Sequence, residues 1–288
     1  MSDARFLEIE IDTKAVPGPR KAGILLPPGF SPSEGPLPVL FLLHGGMGYA
    51  GRTSMRAGLL EQAWTTGVLP RLIVVTPDAD RSFYLTSPDG KERWEEFVLS
   101  DVPDALRQHF ATSKLLMMGI SMGGMGALRF AFKNPSLFTA VAALEPAIEP
   151  ALSFFDIEER DLFYRKNVYP AKFGVPVDDD FWQANNPANL ALANGKDIRR
   201  SGLEIYLEVG DADVLGLYRG AEFLHRILYD NDIAHEYRLV RKGDHVGRTV
   251  PPRFMNAFDF LRRVLKPDPG VDPAVDEFIA KMEEKLNA

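Results

Sequence analysis

One serine of this chain lies between glycines on a predicted turn. The segment 119–123 reads GISMG, with an apolar run at 115–118 before it and a helix-like segment at 124–128 after it. A G-x-S-x-G pattern in this setting forms a turn so sharp that the serine backbone is strained, and the glycines keep side chains from colliding there. We therefore predict that the turn presents Ser121 Oγ to a cleft as a nucleophile.

A histidine must reach this serine, because a hydroxyl is a weak nucleophile until a base takes its proton. The chain has five histidines, and His245 lies in a polar loop, 242–247, after the last predicted strand. The other four lie in helical patterns (His109 and His225), at the start of a strand (His235) or at the end of a strand beside glycines (His44). We predict that His245 is the general base, since the chain order serine, acid, histidine accompanies this type of turn.

The acid that orients this histidine is expected after the strand that precedes it in the chain. Two aspartates, Asp211 and Asp213, follow Gly210 at the end of an apolar stretch. We favour Asp213, because the residue directly after a glycine turn usually caps that turn with its own side chain, which assigns Asp211 to the turn. Glu145, which follows the predicted strand 140–144, is a third candidate for the same role.

Backbone N–H groups must also stabilise the oxyanion that forms when the serine attacks a carbonyl. Met122 supplies one N–H by its position directly after the nucleophile. The second is expected from the glycine turn HGGM at 44–47, which follows the apolar strand 39–43. Gly46 is the favoured donor in that turn, and Met47 is the reserve.

The elements that must position these residues alternate between strands and helices. Strands are predicted at 6–11, 21–26, 39–43, 72–76, 115–120, 140–144, 204–209 and 235–240, and helices at 58–65, 93–109, 123–133, 217–229 and 253–265. The middle strands are almost continuously apolar, which is typical of a parallel sheet covered by helices on both faces, whereas the first two alternate. The pattern indicates one α/β domain over residues 1–288 with a doubly wound sheet.

Two segments do not fit this alternation. The first, 151–182, has no strand-helix pattern and contains eight aromatic residues; we interpret it as part of a cap over about 151–195, whose aromatics either form its own core or line an apolar pocket above Ser121. The candidate pocket residues are His44, Phe154, Phe155, Phe163 and Trp182. The second, at about 271–287, follows a proline-glycine break and has five apolar residues on one helical face, which predicts a docked C-terminal helix.

Taken together, these residues resemble the esterase D and feruloyl-esterase group of α/β-hydrolases, which includes S-formylglutathione hydrolases and antigen 85 mycolyltransferases. The resemblance is carried by HGG at 44–46, GISMGG at 119–124, ALEP at 143–146, NP at 186–187, and Gly210 and Asp213 with His245. It implies an α/β-hydrolase fold with a mostly parallel eight-stranded sheet and a small cap. It also implies a serine carboxylic ester hydrolase that works through an acyl-enzyme. The aromatic residues of the cap add the expectation of small to medium esters with an apolar or aromatic part.

Three other functions are compatible with parts of the sequence. An acyltransferase would use the same acyl-enzyme and pass the acyl group to an alcohol. A non-catalytic binding module would keep the fold without the chemistry. A Rossmann-type nucleotide-binding protein is suggested by GMGYAG at 46–51, which spells G-x-G-x-x-G after a strand. The last two leave the serine, acid and histidine unexplained.

Composition restricts the partners. The net charge of -7 and the lack of a basic stripe argue against nucleic acid, and the absence of cysteine excludes disulfides and thiolate zinc sites. No H-E-x-x-H pattern occurs, so we expect neither a metal nor another cofactor, with a small-molecule ester as the partner and a homo-oligomer as an open possibility. The sequence shows no apolar run long enough to span a membrane and no export pattern, which predicts a cytoplasmic protein.

Overall fold

Eight strands form one sheet in the part of the chain that the computed structural model describes, residues 5–46, 56–162, 168–267 and 273–286. In chain order they are β1 (Arg5–Ile11), β2 (Arg20–Leu26), β3 (Leu37–Leu43), β4 (Ile73–Pro77), β5 (Thr112–Ile120), β6 (Ala140–Leu144), β7 (Glu204–Gly210) and β8 (Glu236–Val240). Their order across the sheet is β1-β2-β4-β3-β5-β6-β7-β8. Strand β2 runs antiparallel to both neighbours, and all other pairs are parallel.

The apolar runs that predicted the inner strands are buried on both faces of this sheet. Every residue of β4 and β6 is buried, and the side chains of β3 alternate between two hydrophobic cores. The edge strand β1 is mostly exposed or half-buried, which explains its alternating sequence. All eight predicted strands and the predicted fold class, a mostly parallel α/β sheet, are confirmed.

Helices lie between the strands and cover both faces of the sheet. They are α1 (Ala57–Thr65), α2 (Trp94–Glu96), α3 (Val102–Arg107), α4 (Met122–Lys133), α5 (Tyr169–Phe173), α6 (Asp179–Gln183), α7 (Pro187–Ser201), α8 (Tyr218–Asp230), α9 (Val250–Leu265) and α10 (Pro273–Leu286), with a π-helical turn, Phe97–Asp101, between α2 and α3. Helices α1 and α9 pack on one face, and α4, α7 and α8 pack on the other. None of the described helices is both long and apolar enough to cross a membrane.

The predicted cap is shorter than expected at its C-terminal end. Helix α7 starts at Pro187, inside the predicted range 151–195, and packs against α4 as part of the layer on the sheet. The side chain of Asn194 donates a hydrogen bond of 2.9 Å to the carbonyl of Phe132 in α4. The sequence does not show the apolar pattern of a helix here, because the buried face of α7 consists largely of small residues. We therefore use the name cap for residues 151–186 only.

The C-terminal helix is present, but the prediction that it docks is wrong. The described side chains of α10 are all exposed, including the apolar ones predicted to face the protein. Val275, Phe278, Ile279 and Met282 are between 42% and 64% exposed. An amphipathic pattern shows that a helix can bury one face, but it does not specify which surface that face meets.

Candidate active site

The predicted nucleophile lies on a strained turn between β5 and α4. Ser121 has φ 58° and ψ −121°, a conformation that L-residues rarely adopt. Its N–H donates to the carbonyl of Leu144 at the end of β6 (2.9 Å), and its carbonyl accepts from the N–H groups of Met125 and Ala147 (both 3.1 Å). These hydrogen bonds to α4 and to the loop after β6 hold the serine in its strained conformation.

Glycines make this turn possible by allowing backbones to approach closely. A Cβ atom on Gly119 would lie within 3.0 Å of the carbonyl of Gly123, and one on Gly123 would lie equally close to the carbonyls of Leu43 and His44. Real Cβ atoms do not approach backbone oxygens this closely. Gly119 is therefore required by the closeness of the turn itself, and Gly123 by the contact between the turn and the end of β3.

The predicted base and acid are brought together by the loops after β8 and β7. His245 Nδ1 lies 2.8 Å from Asp213 Oδ2, and the second oxygen of Asp213 accepts the N–H of Leu215 at 2.7 Å. The Asp213 side chain is fully buried, while that of His245 is 11% exposed. Because a carboxylate only accepts, Nδ1 of neutral His245 carries the proton and Nε2 keeps its lone pair.

Asp211 has a structural role, as expected, but its side chain caps the loop after β8 rather than its own glycine turn. Its Oδ1 accepts the N–H of Lys242, and its other oxygen is 3.9 Å from the guanidinium of Arg241. The turn that holds it packs tightly against the next one, since a Cβ atom on Gly210 would lie within 3.0 Å of the backbone of Gly243. The loops that carry the acid and the base are thus held in direct contact.

Glu145, the third candidate acid, is buried beside this pair but makes other bonds. Both carboxylate oxygens accept the N–H of Gly210 (3.1 and 3.3 Å), and Oε1 forms an ion pair with Arg253. Ligand atoms of Glu145, Asp213 and His245 lie within 4.8 Å of one another, the one such group among the described residues. These atoms already bind each other or Arg253, so the group has the character of a charge network rather than of a vacant metal site.

The glycine turn after β3 lies beside the serine. A Cβ atom on Gly45 would be 3.5 Å from Ser121 Cβ, and the carbonyl of Gly46 accepts from Nε of Arg81 at 2.8 Å. Gly46, the favoured oxyanion donor, is thus anchored through its carbonyl on a turn that reaches the nucleophile. Met47, the reserve donor, lies outside the described residues.

His44 was expected to line the pocket, but it supports the glycine turn instead. The residue is 4% exposed, its Nε2 accepts the N–H of Ala79 (3.1 Å), and its Nδ1 is 2.9 Å from the carbonyl of Gly45. With both ring nitrogens engaged by the backbone, it has no polar group left for a ligand. A short loop beside glycines does not reveal this burial at the level of sequence.

Tyr84 also supports this turn, and the sequence analysis missed it. Its hydroxyl donates to the carbonyl of His44 at 3.0 Å, and burial raises the pKa of the phenol well above its ordinary value, so that it stays protonated. The ring packs so closely on Gly126 that a Cβ atom there would lie 2.7 Å from it. A glycine in the interior of a predicted helix was the available signal, since such glycines mark close contacts.

Comparison with known proteins assigns the chain to a family. The model of the family named Esterase matches residues 13–248, which is most of the chain. The chain belongs to the esterase family. The predicted resemblance and the predicted enzyme class, a serine hydrolase that acts on esters, are confirmed by this membership, which also excludes the Rossmann-type alternative.

Solved structures of similar fold include three that this esterase matches over nearly its whole length. A ferulic acid esterase has a TM-score of 0.74 at 19% identity, covering 92% of this chain and 99% of that chain. An S-formylglutathione hydrolase from Agrobacterium tumefaciens has 0.72 at 20%, covering 92% and 95%. The fluorophosphonate-binding serine hydrolase F of Staphylococcus aureus, with substrate bound, has 0.71 at 21%, covering 90% and 98%. These likenesses show a shared fold.

The cap of the esterase has an aromatic core of its own. Tyr169, Phe173 and Trp182 are at most 2% exposed, with Phe154 packed edge-on against Trp182 at 6.2 Å between ring centroids. The expectation that Trp182 lines a pocket is therefore wrong, because the cap needs this ring for its own packing. Phe155 is 69% exposed. Phe163 lies outside the described residues.

The close contact at Gly123 predicts that Gly123→Ala disrupts the esterase. The added methyl group must displace the end of β3 or the serine turn, so we expect a loss of roughly 1–3 kcal/mol in the free energy of unfolding and most of the activity. Gly58→Ala is the matched control: this helical glycine has open space around it, and the change should stabilise by up to about 1 kcal/mol. Urea unfolding and ester hydrolysis check both, and a stable, fully active Gly123→Ala protein would contradict the account.

Proposed function

We propose that this esterase hydrolyses carboxylic esters through a covalent acyl-enzyme on Ser121, with His245 as base and Asp213 as the acid that orients it. The observation that carries the proposal is the 2.8 Å hydrogen bond from His245 to a fully buried Asp213. It occurs at the carboxyl edge of the sheet, the edge at which β5 ends before Ser121. This contact supports the proposal, because a triad is recognised by the geometry and roles of its residues rather than by the fold.

The reaction follows from the protonation states at the site. His245 Nε2 takes the proton of Ser121 Oγ as the oxygen attacks the ester carbonyl, and a C–O bond to the enzyme forms. The N–H groups of Met122 and Gly46 bind the resulting oxyanion. When the intermediate collapses, the imidazolium returns its proton to the departing alcohol. Water then repeats the sequence, which releases the carboxylic acid and restores the serine.

Asp213 contributes at the moment when His245 becomes positively charged. Its carboxylate accepts the Nδ1 proton throughout, which fixes the tautomer that leaves Nε2 free for the serine. Its negative charge is removed from water, so it stabilises the imidazolium more strongly than an exposed carboxylate would. The N–H of Leu215 holds its other oxygen and keeps the carboxylate aligned.

The substrate that we propose is a small to medium ester with an apolar or aromatic part. The cap begins shortly after Ala147, whose N–H donates a hydrogen bond to the carbonyl of Ser121. The chain therefore enters the cap directly from a segment that contacts the nucleophile turn. The cap presents Phe155, a largely exposed aromatic ring, to solvent. One structural neighbour is a ferulic acid esterase, an enzyme named for an aromatic acid, which supports the aromatic class.

The first prediction concerns Ser121. A fluorophosphonate probe should label the wild type on this residue, and Ser121→Ala should abolish the label and reduce kcat for p-nitrophenyl acetate by about 10⁶-fold. The Tm should stay within about 2 °C, because alanine meets the same backbone strain as serine. Mass spectrometry of the labelled peptide is the measurement, and a label on any other serine would refute the assignment.

The second prediction separates the candidate acids. Asp213→Asn should lower kcat by about 10⁴-fold with little change in Tm, because the amide can donate to Nδ1 and so stabilise the wrong tautomer. Asp211→Asn, the matched control one turn away, should keep kcat within about threefold and cost at most about 1 kcal/mol of stability. Equal, mild effects of the two variants would move the role to Glu145.

The third prediction tests the cap. Phe155→Ala should leave Tm unchanged and lower kcat/KM for a feruloyl or other bulky aromatic ester about tenfold more than for p-nitrophenyl acetate, through lost apolar contact. Trp182→Ala should instead lower Tm, since removing a buried ring costs about 3–5 kcal/mol. If the ratio of the two substrates is the same in Phe155→Ala as in the wild type, this ring does not contribute to the substrate pocket.

A further inference from the structure

A buried ion pair beneath the site has no role in the reaction described so far. Glu145 follows β6 and Arg253 lies in the first turn of α9, and both side chains are at most 2% exposed. Burying two charges is expensive, and such a pair rarely adds net stability. Its position beside the proposed triad therefore points to a role in the reaction rather than in stability.

Glu145 holds the loop that carries the acid. Both of its oxygens accept the N–H of Gly210, and its own N–H donates to the carbonyl of Glu208 in β7 at 2.9 Å. Gly210 is where the turn to Asp213 begins, and the N–H of Asp213 donates back to its carbonyl at 3.3 Å. The Glu145 carboxylate thus fixes the starting point of the turn.

Arg253 holds the loop that carries the base. Its guanidinium donates to the carbonyls of Asp244 and Thr249 and to the hydroxyl of Thr249, residues on either side of His245. Asp244 Oδ1 in turn accepts the N–H of Gly247 (3.0 Å) and the hydroxyl of Thr249 (2.6 Å). The guanidinium of Arg253 therefore hydrogen-bonds to both ends of the His245 loop. Its ion pair with Glu145 links that loop to the end of β7.

The Glu145–Arg253 ion pair also determines the net negative charge close to His245. One Glu145 oxygen lies within 4.8 Å of a carboxylate oxygen of Asp213 and of a ring nitrogen of His245. Two uncompensated carboxylates at this distance would repel each other and over-stabilise the imidazolium. Arg253 neutralises one of them. The other charged groups that directly follow these strands are Asp78, Asp80 and Arg81 after β4, Glu149 after β6, Asp211 after β7, and Arg241, Lys242, Asp244 and Arg248 after β8.

We propose that the Glu145–Arg253 ion pair is a positioning device of this esterase: it fixes the Asp213 and His245 loops relative to each other, and it neutralises the charge of Glu145 so that Asp213 acts as the partner carboxylate of the base. The proposal rests on the triad proposed above. Both side chains are buried, so they act through the loops that carry Asp213 and His245.

Isosteric and charge-removing variants test the pair. In Arg253→Met and Glu145→Gln we expect kcat to fall about 100-fold, because the loops shift by a fraction of an ångström, while KM stays within about threefold. Arg262→Met is the matched control on the same helix, since it breaks the more exposed pair with Asp259 (3.0 Å). It should leave kcat within about twofold.

The pH dependence of kcat/KM gives a readout that loose packing alone would not produce. Glu145→Gln leaves the Arg253 cation unbalanced, which disfavours the imidazolium and moves the acid limb of kcat/KM to lower pH. Arg253→Met leaves an extra carboxylate and should move the limb up. The double variant Glu145→Gln/Arg253→Met removes both charges and should return the limb to the wild-type position, although kcat stays low.

The outcomes separate the two proposals. If Ser121→Ala retains activity, the triad itself is wrong. If Ser121→Ala is inactive while Glu145→Gln matches Arg262→Met in kcat and in pH profile, only the positioning role is overturned. Because Glu145→Gln preserves shape and still offers an oxygen to Gly210, circular dichroism should show it folded. A folded Glu145→Gln with reduced kcat but an unmoved acid limb would refute the charge-balancing part.

Discussion

The positive φ angle of Ser121 is the constraint on which the rest of this site depends. A residue forced into that region costs of order 1–3 kcal/mol and persists only when its surroundings over-determine it. Here the surroundings are the carbonyl of Leu144, the N–H groups of Met125 and Ala147, and the end of β3, which approaches Gly123 too closely for any side chain. The strain is thus offset by a sheet whose central strands are buried on both faces.

Parallel strands explain why residues far apart in the chain meet. Each of β5, β7 and β8 ends at the same edge of the sheet, so the residues that follow them lie along one edge, and Asp213 meets His245 there. The loops after β7 and β8 are brought closer still by the contact of Gly210 with Gly243, and the N–H of Ala212 donates to the carbonyl of Gly243 at 2.9 Å. Side chains at this edge are therefore placed by backbone contacts as well as by their own hydrogen bonds.

The difference between local backbone patterns and contacts between distant surfaces also determines how much of the structure the sequence could predict. All eight strands and the serine turn followed from local patterns, because apolar runs and glycine spacing report on the adjacent backbone. The pairing of Asp213 with His245 followed from the chain order of serine, acid and histidine that accompanies this turn. The burial of His44 and Trp182, the exposure of α10 and the pairing of Glu145 with Arg253 did not follow, since each depends on which distant surface a side chain meets. Glu145 was recognised as a candidate acid, but a carboxylate at the right edge does not reveal its partner.

Two buried arginines connect the helix layers on the two faces of the sheet to the loops by hydrogen bonds. Arg253 in α9, on one face of the sheet, donates to carbonyls of the His245 loop. Arg129 in α4, on the other face, donates to the carbonyl of Tyr84 and to the side chains of Glu95 (2.7 Å) and Asn185 (3.1 Å), at the end of the cap. Burial lowers the pKa of both guanidinium groups, yet arginine starts so high that they stay charged at neutral pH. A planar group with five donors can bind several acceptors at once, so in each case one side chain joins a helix to an irregular loop.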